Sequence, residues 1–97
     1  MSSIPKKILQ EVMDRDEGIC QICGKKAVNI HHVISAGLGG KRKHKVENLI
    51  SLCGECHKWA HETEEGKKAT IAWAKERYSE EIERLLYLKK FGKEKEN

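Results

Sequence analysis

Four cysteines, spaced as two C-x-x-C pairs, constrain this chain more than any other feature. They are Cys20 and Cys23 in CQIC and Cys53 and Cys56 in CGEC, with residues 24–52 between the pairs. A chain of 97 residues makes one small domain, whose thin core often leans on a metal, on disulfides or on a partner. Disulfides want an oxidising compartment. The opening MSSIPKKILQ has no long apolar stretch of the kind a secretory signal carries, so a cytoplasmic location is expected. Two short loops that each turn two thiolates toward one point suit tetrahedral Zn²⁺. Gly24 and Gly54 each follow a cysteine, where the chain is expected to turn sharply. Disulfides and a redox C-x-x-C are the alternatives, although one such pair would suffice for redox chemistry. A closed four-cysteine zinc site has no open coordination position. It would act as a staple, so any chemistry has to come from the segments it holds together.

Those segments alternate between helical and strand-like patterns. Residues 5–16, PKKILQEVMDRD, read as a short helix with Pro5 in its first turn and Ile8, Leu9, Val12 and Met13 on one face, ended by Gly18. Residues 27–34, AVNIHHVI, are β-branched and read as a strand. SAGLGGKRKHKVE follows as a glycine-rich loop, and residues 48–52, NLISL, as a second short strand. Residues 55–62 are helical in pattern, and Gly66 is expected to break that helix from a longer one over residues 67–91. In the longer helix Ile71, Ala74, Tyr78, Ile82, Leu85 and Lys89 form a stripe, which Trp73, Leu86 and Leu88 widen. The tail GKEKEN looks frayed. The fold class expected is α+β: an N-terminal helix over 1–17, a zinc-stapled core over 18–62 and a C-terminal helix over 63–97. No apolar run approaches the roughly 18–20 residues needed to cross a bilayer, so no membrane partner is expected.

The histidines are not scattered. His31 and His32 are adjacent on the first strand, where side chains alternate, so they point to opposite faces. His57 and His61 are four apart on a helix and share one face, as in many metal sites. A hairpin packed on that helix could bring one strand histidine beside them. The other would stand off the metal as a base, neutral near pH 7. His57 could instead serve the zinc side or exchange with Cys56, and His61 could be a surface residue. His44, in KRKHK, is expected to be a solvated loop residue rather than a ligand. Asn48 can bond backbone groups across the glycine-rich loop and fix its shape.

Together I-H-H-V at 30–33, E-N-L-I-S-L-C at 47–53 and C-H-K-W-A-H at 56–61 resemble the HNH endonucleases, many of which bind structural zinc through paired C-x-x-C knuckles. The resemblance covers about residues 12–62. The K-A-x-x-A-W-A run that follows is similar to small phage and prophage members, which implies the cytoplasm of a bacterial or phage-infected cell as the expected location. The resemblance implies a ββα-metal fold in which a hairpin and a helix clasp one divalent cation over the scissile phosphate. It implies His31 as the first-strand ligand (often Asp in relatives), His32 as the general base and Asn48 as the residue that orders the loop. His57 matches the third-motif histidine, and His61 the second helix ligand of the colicin-type branch. A histidine-rich site widens the choice of catalytic cation from Mg²⁺ to Mn²⁺, Ni²⁺ or Zn²⁺.

The activity implied is hydrolysis of DNA phosphodiesters, by nicking or by cutting both strands. Lys41, Arg42, Lys43 and Lys45 are candidates for phosphate contacts, which give affinity without sequence readout. Formal net charge is only +4, and most of the surplus lies in residues 1–62. A sequence-specific duplex reader usually shows a stronger basic face, so weak sequence preference is expected. A second hypothesis is a zinc-stapled DNA-binding or adaptor module with a vestigial site, serving a larger phage packaging or restriction machine. A third, redox or zinc storage, leaves the histidine pattern unexplained. The stripe of the C-terminal helix suits the core, a path along DNA or a second copy of the chain, so the sequence does not fix the oligomeric state.

Overall fold

A computed structural model describes residues 4–34 and 44–91. Helix α1 runs Lys6–Asp16 with Pro5 at its cap. It stops because Glu17 and Gly18 both take left-handed backbone, with φ of 55° and 69°. Of its expected apolar face, Val12 is buried, Ile8 and Leu9 are half-buried and Met13 is exposed.

The first cysteine pair sits on a tight turn closed by the Ile19–Lys26 bridge. Gly24 takes φ 83° there, a conformation open to glycine, and its N–H bonds the Cys20 carbonyl. Strand β1 (Asn29–His32) pairs antiparallel with β2 (Leu49–Leu52), with His31 opposite Ile50 and His32 opposite Leu49. β1 is shorter than residues 27–34, but its flanks stay bonded: Val28 N–H donates to Leu52 O and Val33 N–H to Asn48 O. Asn48 belongs not to the strand but to a single 3₁₀ turn, Val46–Asn48, leading into it. Every residue of β2 is buried, so apolar and polar residues do not alternate along it: Leu49, Ile50 and Leu52 are apolar and Ser51 is a buried polar residue.

Helix α2 (Gly54–Glu62) starts directly after β2. Gly54 is its first residue and does not have the left-handed backbone expected of a sharp turn. Helix α3 runs Glu64–Phe91, so the break between helices lies at Thr63 and not at Gly66. The Thr63 hydroxyl accepts the Gly66 N–H, which caps α3, and Glu64 and Glu65 add favourable charge at its positive end. Gly66 is buried where α3 crosses α2, and a Cβ there would run into the Trp59 carbonyl and the Ala60 Cα. α3 itself bends at Tyr78, where φ −136° and ψ 52° leave the helical region. The expected stripe is buried at Trp73, Ala74, Ile82, Leu85 and Leu88, while Lys89 is exposed. These side chains pack on Ile34, Ile50, Leu52 and Ala60 to make one core.

A charged pair outside the sequence expectations ties the layers together. Arg15 bonds both carboxylate oxygens of Asp16 and the backbone carbonyls of Val46 and Leu49. Asp16, almost fully buried, accepts the Ser51 N–H. The Arg15 guanidinium also lies 4.9 Å from the Trp73 ring, as that of Arg77 does at 4.6 Å. Among the described residues no helix is long and apolar enough to cross a membrane.

Candidate metal centres and active site

The hairpin and α2 bring the four cysteines to one point. All four are free thiols, and one sulfur from each lies within 4.8 Å of the others. Cys23 and Cys53 sulfurs are 3.6 Å apart, close to the roughly 3.8 Å that tetrahedral zinc–sulfur bonds of about 2.3 Å impose. The Cys53 sulfur also accepts the Cys56 N–H and so caps α2. Burial pushes the Cys20 thiol up, but backbone N–H groups of Cys23, Cys53 and Ile22 outweigh it and bring its pKa down to about 6. Burial and its three cysteine neighbours push the Cys56 thiol the other way, well up, so four thiols crowded at one point do not all ionise without a cation, and the donor set fits structural zinc.

A second cluster forms between β1 and α2. His31 projects from β1 toward α2, and a ring nitrogen from each of His31, His57 and His61 lies within 4.8 Å of the others. The Nε2 atoms of His57 and His61 are 3.0 Å apart. Metal–nitrogen bonds of about 2.0–2.1 Å at right to tetrahedral angles would put two ligands roughly 2.9–3.4 Å apart. The His31 ring meets those of His57 and His61 edge-on, with centroids 5.4 and 4.9 Å away. Burial, then the neighbouring charges of His61, His57 and His32, pushes the His31 pKa down to about 4. Burial and His61 lower that of His57 as well. Both rings therefore offer lone pairs at neutral pH, as a divalent cation requires.

His32 takes the opposite face of β1 and approaches His44 instead, Nε2 to Nδ1 at 3.1 Å. His44 is not the solvated residue expected: it is buried, and its Nε2 has no hydrogen-bond partner among the described residues. Its only sequence signal was a position four residues before Asn48. Asn48 is fully buried, with its Oδ1 accepting the Ile34 N–H and its Nδ2 donating to the Ile34 carbonyl, both at 2.8 Å. That clamp holds the chain as it leaves the His31–His32 strand, so the amide does bond backbone at the start of the loop. Lys45 pairs with Glu81 of α3 at 2.9 Å, which directs this cation toward the protein. Lys41, Arg42 and Lys43 lie outside the described residues.

Comparison with known families gives one finding. Residues 20–63, from the first zinc-site cysteine to just past the helix that bears His57 and His61, match the family model described as HNH endonuclease. No curated protein matches the chain.

Proposed function

We propose that this chain, whose residues 20–63 match the HNH endonuclease family model and carry clustered metal-ligating side chains, is a metal-dependent endonuclease that hydrolyses phosphodiester bonds of DNA. The convergence of His31, His57 and His61 beside a separate, closed four-cysteine cluster carries this reading. A staple alone would not need three imidazoles at one point.

In this reading Cys20, Cys23, Cys53 and Cys56 hold structural zinc, and His31, His57 and His61 hold a divalent cation such as Mg²⁺ or Mn²⁺. A cation there would polarise a phosphate and neutralise charge on the departing 3′-oxygen. His32 takes a proton from the attacking water. The new bond joins that oxygen to phosphorus as the phosphorus–3′-oxygen bond breaks, and the leaving oxygen takes its proton from solvent. Asn48 keeps the strand and the loop entry fixed while this occurs. The location in a bacterial or phage-infected cytoplasm, and service to a packaging or restriction machine, belong to the same proposal.

The test is cleavage of supercoiled plasmid with Mg²⁺ or Mn²⁺, with nicked and linear products scored separately. The wild type should cleave, and His32→Ala should be slower by about 10²–10⁴-fold with the zinc content unchanged. Absence of metal-dependent cleavage in the wild type overturns the enzyme reading; full activity in His32→Ala overturns the base assignment alone.

A further inference from the structure

His44 belongs to neither metal-ligand cluster, yet its position is costly. It is a buried imidazole, 7% exposed, with one nitrogen against His32 and the other without a partner among the described residues. Leaving a polar group buried and unpaired costs about 1–3 kcal/mol. Three contacts nevertheless hold this stretch in place. Lys45 is tied to Glu81 of α3, the following 3₁₀ turn packs against α3, and Asn48 is clamped to Ile34.

We propose that His44 is a positioning residue for His32, its Nδ1 accepting the His32 Nε2–H and so fixing both the plane and the tautomer of the base. The inference rests on the base role given to His32 above. A neutral imidazole carries one N–H and one lone pair. A base must present its lone pair to water, so the ring's proton has to sit on the other nitrogen. The nitrogen facing His44 is Nε2, which makes Nδ1 of His32 the proton-accepting atom and Nδ1 of His44 the acceptor of the hydrogen bond. The His44 proton is then on its own Nε2, the atom that is buried without a hydrogen-bond partner among the described residues. When His32 takes the water's proton at Nδ1, it becomes an imidazolium whose Nε2–H still points at the His44 lone pair. No proton leaves His32 for His44, and the proton gained returns to solvent after cleavage. His44 thus does for His32 what a carboxylate or carbonyl does for the orienting nitrogen of other catalytic histidines.

The experiment uses the full zinc-loaded chain with Mn²⁺. His44→Ala should lower kcat on the order of 10–100-fold, while KM and Mn²⁺ affinity stay within about twofold of wild type. His44→Asn places an amide oxygen where Nδ1 was, and should recover activity to within about fivefold of wild type. Nitrogen-15 spectra of the imidazoles near neutral pH should show His32 protonated at Nε2 in the wild type and in His44→Asn, and should lose that preference in His44→Ala. If His44→Ala fails to fold, the asparagine variant and the wild-type spectrum still decide. A His32 ring protonated at Nδ1 overturns the inference, as does unaltered kcat in His44→Ala, an asparagine variant no better than alanine, or lost Mn²⁺ affinity in either. A wild type that cleaves nothing overturns the nuclease reading and this inference with it; the other results overturn this inference alone.

Discussion

Burial beside two other imidazoles keeps the His31 ring neutral well below the pH at which a free histidine charges, with its pKa at about 4 against an ordinary 6.5. The unfolded chain therefore binds a proton at this residue that the folded chain refuses between those values. Its contribution to stability is complete above about pH 6.5 and is lost as pH falls toward 4. With the histidine site free of metal, the wild type should lose about 2 kcal/mol more than His31→Leu between pH 7 and pH 5. Urea unfolding of both proteins at the two pH values checks this, and equal losses would contradict it. The alternation that sends His31 and His32 to opposite faces was legible in two adjacent letters of sequence, because a strand leaves no other choice. His44 was not. Its surroundings in sequence are basic and polar, and what buries it is a tertiary arrangement: α3 holding Lys45, and Asn48 holding Ile34.

Two glycines show how an element's meaning depends on what crosses it. Gly66 reads as a break in a helical pattern, yet it lies inside the first turn of α3 and lets that helix touch the backbone of α2. The break belongs to Thr63, whose hydroxyl caps α3 and donates to the Trp59 carbonyl. The signal was present as a threonine followed by two glutamates, an ordinary helix start. Gly66→Ala must push α2, which carries His57 and His61, away from α3. It should cost about 3 kcal/mol and lower the melting temperature by more than ~10 °C. Gly54→Ala meets only Val28 at 3.9 Å, an ordinary contact, and should shift the melting temperature by less than ~3 °C. Thermal unfolding of the pair separates the two cases. The helices and both strands were readable from periodicity to within a few residues. The bend at Tyr78 was not, since no proline or glycine marks it, and the side chain there is drawn toward Arg15.

At the scale of the molecule, the proposed function has two clusters of metal-ligating side chains divide the labour between holding and reacting. The cysteine cluster joins the first turn to the start of α2, and Cys53 is at once a candidate zinc ligand and a helix cap. Structural zinc of this kind is worth about 10–16 kcal/mol at neutral pH, as much as a small domain's whole stability of about 5–15 kcal/mol. A zinc-selective chelator should therefore abolish most helical circular dichroism along with cleavage. Withholding Mg²⁺ or Mn²⁺ should stop cleavage and leave the spectrum intact. Retention of the folded spectrum after zinc removal would show that the clip is dispensable. The clip was legible from cysteine spacing alone. The Arg15–Asp16 pair that locks α1 to β2 was not, because adjacent opposite charges at a helix end normally face water. The two clasps beside the histidines, Asn48 on Ile34 and His44 on His32, have one more consequence. They tie residues 32–34 directly to residues 44–48, so the exit of β1 and the entry to β2 are held as one unit with the imidazoles of His31 and His32 on it.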